Sequence, residues 1–127
     1  QDISLNPPTL VQRGLQLYKA GKATEAINVW QEALRQVSNP LDRAVIHGNL
    51  ALAYRQMGNL AEAVQQWEQA IEIYRSQNNE AGYRQVASLL VEVGQAYSDL
   101  GQQQRAIQQL QSALEIARRN NLQRTEA

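Results

Sequence analysis

The chain has 127 residues, with twelve Lys and Arg set against twelve Asp and Glu, no cysteine and a single histidine. A formally neutral chain has no long-range field to gather phosphate, which argues against nucleic acid and anionic membrane as partners. Without cysteine there is no disulfide framework, thiolate zinc site or cysteine nucleophile, and His47 alone cannot build a histidine-rich metal site, so neither metal nor cofactor is expected. No apolar run approaches the roughly 18 residues of a membrane span, and no basic-then-apolar leader is seen. The chain therefore reads as soluble and cytoplasmic by default. Its opening Gln1 points to processing or excision from a longer polypeptide, with removal of an export signal as one route.

Gln and Ala dominate, Phe is absent and proline is confined to Pro7, Pro8 and Pro40, which predicts an all-α chain with its breakers at element boundaries. In chain order, helices are expected over about 8–20, 23–37, 40–57, 60–77, 80–100 and 103–119, with no strands. Asn6-Pro7-Pro8-Thr9 leads into the first, and Ser38-Asn39-Pro40 separates the second from the third. Asn78-Asn79 and Asn120-Asn121 follow the fourth and sixth. Asparagine suits helix caps and proline suits a first helical turn.

Three segments align with one another. Leu17-Tyr18-Lys19-Ala20-Gly21 runs on to Ala26-Ile27, Ala53-Tyr54-Arg55-Gln56-Met57-Gly58 to Ala63-Val64, and Ala96-Tyr97-Ser98-Asp99-Leu100-Gly101 to Ala106-Ile107. Downstream the match continues as Trp30, Ala33, Leu34, then Trp67, Ala70, Ile71, then Leu110, Ala113, Leu114. The spacing i, i+1, i+4, i+7, i+8 is one face of an α-helix. Each copy reads as a helix hairpin in which Gly21, Gly58 or Gly101 ends the first helix. Gly14, Ala51 and Gly94 on the first helices, and Ala26, Ala63 and Ala106 on the second, allow close approach, while Trp30, Trp67 and Leu110 fill the space beside them. A single hairpin cannot bury its apolar faces, whereas three stacked hairpins share one core.

These residues resemble the tetratricopeptide repeat family over nearly the whole chain, in three copies at about 8–38, 40–78 and 80–120. The resemblance implies three stacked antiparallel helix-turn-helix repeats forming a right-handed α-solenoid. The repeat distances, 37 residues from Ala26 to Ala63 and 43 from Ala63 to Ala106, exceed the usual 34 or so, and the surplus is expected between the second helix of one repeat and the first of the next. Long repeats of this sort are similar to those of kinesin light chain and of bacterial, cyanobacterial-looking arrays attached to effector domains. Residues 121–127 are expected to open a further helix, leaving the third repeat uncapped and its flank available for self-association.

The resemblance also implies that the first helices line a concave groove for an extended peptide or a partner helix. Its positions are Val11, Leu15, Tyr18 and Lys19 in the first repeat. The second contributes Val45, Gly48, Asn49, Leu52, Arg55 and Gln56, and the third Ser88, Val91, Glu92, Gln95, Ser98 and Asp99. A matching partner brings an apolar side chain to the first repeat and a cation to the third. The carboxylate clamp of the chaperone-binding subclass is not expected: of its five positions only Asn49 matches, Val11, Leu15, Ser88 and Glu92 standing at the others. Asn49 either bonds a ligand main chain or satisfies a neighbouring helix carbonyl.

Gly48 lies inside a helix, where glycine costs about 1 kcal/mol relative to alanine. Close helix packing is the simpler account, and a ligand backbone crossing the groove floor the other. His47 reads as a packed structural histidine, Trp30 and Trp67 as core, and Tyr18 as the tyrosine best placed for partner contact. Motifs for acyl transfer, nucleotide binding and zinc peptidases are missing, and the carboxylate pair Glu25 and Glu32 lies on exposed positions. The chain is therefore expected to be no enzyme. Two functions remain: a module that binds a peptide or helix of another protein, or a structural and regulatory spacer that self-associates or docks an effector domain of its own polypeptide.

Overall fold

The computed structural model describes residues 6–120. They form six helices, α1 (Pro7–Lys19), α2 (Ala23–Gln36), α3 (Pro40–Gln56), α4 (Leu60–Ser76), α5 (Glu80–Asp99) and α6 (Gln103–Arg119). Every boundary falls within a residue of its predicted place, because the punctuating residues act as local chemistry requires. The side chains of Asn6, Asn39, Asn59 and Asn79 accept the backbone N–H three residues on, at 3.0, 3.1, 3.3 and 2.7 Å. Pro7 and Pro40 open α1 and α3, where no intrahelical N–H bond is forfeited. Residues 121–127, expected to begin another helix, lie outside the described residues.

The three hairpin turns share one construction. Gly21, Gly58 and Gly101 hold φ of +79°, +82° and +80°, a region closed to most side chains. This left-handed step turns two N–H groups back onto the ending helix: Gly21 N to Tyr18 O and Lys22 N to Leu17 O, both at 2.9 Å, with equivalent pairs after α3 and α5. The backbone groups orphaned at the helix end are thereby satisfied, and the chain reverses within three residues.

The surplus repeat length is not in the connections. Residues 37–39 and 77–79 are matching three-residue links, whereas α4 has 17 residues to the 14 of α2 and α5 has 20 to the 17 of α3. The expectation that the surplus lies between the second helix of one repeat and the first of the next is therefore corrected, whereas the expected helix bounds, which leave only a short link there, hold. Each of two consecutive helices gains almost one turn, which keeps its apolar face near its original bearing. At this junction Asn78 takes φ +52°, and a Cβ on Gly82 would come 2.4 Å from the Tyr74 carbonyl oxygen.

The chain divides within α4 into two units, one ending at Gln66 and the other starting at Trp67. In the first, Leu10, Ala26, Ile27, Trp30, Ala33, Ile46, Leu50 and Ala53 form a buried cluster. Trp30 is fully buried against Gly14, where an added Cβ would lie 2.2 Å from its Nε1, and that N–H donates to the Val11 carbonyl at 3.0 Å. Arg43 on α3 donates through Nη1 to the carbonyls of Leu34 and Val37 at 2.9 and 2.8 Å, fixing a cation on the negative end of α2. In the second unit, α5 buries Val86, Leu90, Val93 and Ala96 and packs against α6, which buries Ala106, Ala113, Ile116 and Ala117. Leu110 sits over Gly94, where a Cβ would be 3.0 Å from its Cγ. Unlike Trp30 and Trp67, it stays 44% exposed, and Ile107 and Leu114 beside it remain open as well.

Candidate partner-binding site

In the first unit the expected groove residues lie on two neighbouring helices, α1 and α3. Val11 and Leu15 are half-buried, their inner sides packed on the core. Tyr18 is half-buried too, its ring 6.2 Å from that of Trp30 and tilted 43° to it, so part of its surface serves the core. Lys19 is exposed in the last turn of α1. Gln56, exposed at the end of α3, donates through Nε2 to the Tyr18 carbonyl at 3.4 Å, which ties the two helix ends together. Arg55 is exposed beside it.

Between the starts of these helices lies a cleft of about 330 Å³, lined by Pro7, Pro8, Val11, Val37, Asp42, Val45 and Ile46. Val45 is 48% exposed at its edge. From Val45 one stripe runs along α3 at i, i+3, i+4 and i+7 through Gly48, Asn49 and Leu52, all three half-buried. The Asn49 side chain makes no hydrogen bond among the described residues, so the account in which it satisfies a helix carbonyl fails. The packing account of Gly48 also fails, since a Cβ there would meet nothing within 4 Å.

In the second unit the expected positions lie on α5. Gln95 donates through Nε2 to Asp99 at 3.0 Å within the last turn of α5, and Ser98 donates through Oγ to Gln103 at the start of α6 at 3.4 Å, so these polar groups are partnered within the hairpin. Val91, 48% exposed, opens with Ser88 onto an apolar cleft of about 530 Å³ against Leu110, Ala113, Leu114 and Ala117 of α6.

Two polar arrangements escaped the sequence reading. His47 is buried, as expected of a structural histidine, and its Nδ1 lies 2.8 Å from Gln66 Oε1. Gln66 Nε2 in turn donates to Glu62 at 3.3 Å. The amide thus presents its oxygen to the ring, which places the hydrogen on Nδ1. Arg43 was missed as well, although a cation in the first turn of a helix, where acids are favoured, is a readable anomaly. The Glu32 carboxyl is held below the usual carboxylate range by hydrogen bonds from Gln36 and Arg35, the opposite of what a general acid requires. Among the described residues no cluster of three metal-ligating side chains occurs and no helix is long and apolar enough to cross a membrane.

Residues 7–76 and, in a second overlapping match, 42–119 fit the tetratricopeptide repeat family, and the chain belongs to that family. Its fold is shared with solved structures of low sequence identity. The tetratricopeptide domain of Arabidopsis FLU is 14% identical with a TM-score of 0.76, over 86% of this chain and 92% of that one. The second such domain of Spaghetti (RPAP3), bound to the HSP90 peptide SRMEEVD, is 22% identical with a TM-score of 0.68, over 87% and 92%. Kinesin-light-chain repeats of Podospora anserina are 20% identical with a TM-score of 0.67, over 87% of this chain and 54% of theirs. No curated protein is significantly similar in sequence. The fold is thus one commonly used as a protein interaction module.

Proposed function

We propose that the chain binds a peptide or helix of a partner protein on the face of its first helices expected to line the groove, centred on α3. The observation that carries this reading is the stripe Val45, Gly48, Asn49 and Leu52, which combines an exposed apolar residue, an open glycine and an amide with no hydrogen-bond partner among the described residues, beside an apolar cleft. Folding explains none of these features, and a ligand would use all of them. Spaghetti's HSP90 peptide shows that such domains take peptides, but the carboxylate clamp is not expected here, because Val11, Leu15, Ser88 and Glu92 replace its donors. The test is selection from a random-peptide display library, with binding compared between the wild type and Val45→Glu, a substitution at an exposed site that leaves the core intact. Loss of the selected peptides supports the reading, whereas equal binding by the variant refutes it.

A second reading, self-association or docking of a domain of the same polypeptide, is favoured by one observation. Val91, Leu110 and Leu114 line an open apolar cleft in the last hairpin, and Ile107 beside them is 47% exposed. Sedimentation at increasing concentration tests it: association abolished by Leu114→Glu supports this role, and a monomer at all concentrations opposes the self-associating form.

A further inference from the structure

The chain has no cysteine and one methionine, so the thioether of Met57 is its only sulfur atom. Methionine serves most simply as a filler of apolar cores, yet Met57 is 51% exposed at the C-cap of α3, outside the stripe proposed above. Its Sδ accepts the Thr24 hydroxyl at 3.9 Å, which joins the end of α3 to the first turn of α2. A thioether is a weak acceptor.

The start of α2 is short of acceptors. Asparagine side chains cap α1, α3, α4 and α5, whereas Lys22, the N-cap of α2, makes no side-chain cap bond. The orphan N–H groups of a first turn carry the positive end of the helix dipole, so an oxygen acceptor is favoured there. The contact of Sδ with Thr24 is also longer than the roughly 2.7–2.8 Å of a bond between a hydroxyl and an oxygen. An oxygen carried on the sulfur would bridge that separation.

We infer that Met57 is a site of reversible oxidation by a hydroperoxide, and that the fold accommodates the sulfoxide by hydrogen-bonding it to Thr24. A lone pair of Sδ attacks the terminal peroxide oxygen, the S–O bond forming as the O–O bond breaks. The proton of the transferred oxygen moves to the departing oxygen, which leaves as water or an alcohol. The sulfur gives up two electrons and the peroxide takes them. The product is polar and chiral, and in a core it would disrupt packing. At Met57 the exposed site removes that penalty, and the epimer whose oxygen points at Thr24 replaces a weak acceptor by a strong one beside an uncapped helix start. Oxidation therefore tightens the contact between α2 and the end of α3. The two tryptophans, both buried, are shielded from the same reagent.

Brief treatment with dilute hydrogen peroxide followed by peptide mass mapping tests the site. One added oxygen confined to the peptide holding Met57 is expected, and none in Met57→Leu. Oxidised and reduced protein are then compared by thermal unfolding, in the wild type and in Thr24→Val. The wild type is expected to gain about 4 °C in midpoint on oxidation, and Thr24→Val to gain nothing. One of the two epimer-specific methionine sulfoxide reductases removes the gain and the other leaves it. A wild-type midpoint unchanged or lowered by oxidation overturns the inference, as does an equal gain in Thr24→Val or a Met57 left unmodified by peroxide.

Discussion

Trp30 and Gly14 define each other. The indole is fully buried, bonded to the Val11 carbonyl and seated where a Cβ on Gly14 would be. Gly14→Ala must displace a ring held on every side, and overpacking of this kind is expected to cost about 2–3 kcal/mol, measured by urea denaturation. The tyrosines set a limit at high pH. Burial raises the Tyr54 and Tyr74 hydroxyls above their ordinary value of 10.0, with the charge of Glu62 adding to the effect at Tyr54. Above that value the unfolded chain releases protons that the folded chain retains. Their contribution is therefore complete below about pH 10 and is lost as pH rises through the folded values. Urea midpoints should hold steady up to about pH 9.5 and fall beyond it, more steeply than in a Tyr74→Phe variant. The Gly14–Trp30 pairing was legible because a small residue recurring opposite a large one is a pattern in the sequence. The choice between the two accounts of Gly48 was not, since it depends on what fails to face the residue, and only coordinates show that a Cβ there would meet nothing within 4 Å.

The helices owe their lengths to end chemistry as much as to propensity. Arg43 carries a charge from the start of α3 to the carbonyls that close α2. Removing it leaves two partly buried acceptors short of a donor, so Arg43→Ala should lower stability by about 1–3 kcal/mol, and faster hydrogen exchange in the last turn of α2 would localise the loss. Helix boundaries were legible from asparagines and glycines whose roles are local, as the caps at Asn39 and Asn79 illustrate. The location of the surplus residues was misjudged, because a repeat distance counts residues without saying whether they coil. Ile71, Ile73 and Tyr74 extend the apolar face of α4, and Asn79 starts α5 immediately after the turn, so the added chain had reason to remain helical.

For the molecule as a whole, membership of the tetratricopeptide repeat family follows from the repeated pattern and is matched by the family comparison. The binding face was legible only in outline. The family pattern names positions, but Tyr18 divides its surface with Trp30, and Gln95 and Asp99 occupy each other. Of the expected positions, Val45, Gly48 and Asn49 in one unit and Val91 in the other keep open surface, and Leu110 and Leu114 of α6, outside the expected set, are exposed as well. These two surfaces correspond to the two proposed roles, and amide chemical-shift mapping with a selected peptide separates them directly. The account predicts perturbations centred on Val45, Gly48, Asn49 and Leu52 of α3. Perturbations centred instead on Ile107, Leu110 and Leu114 of α6 would contradict it.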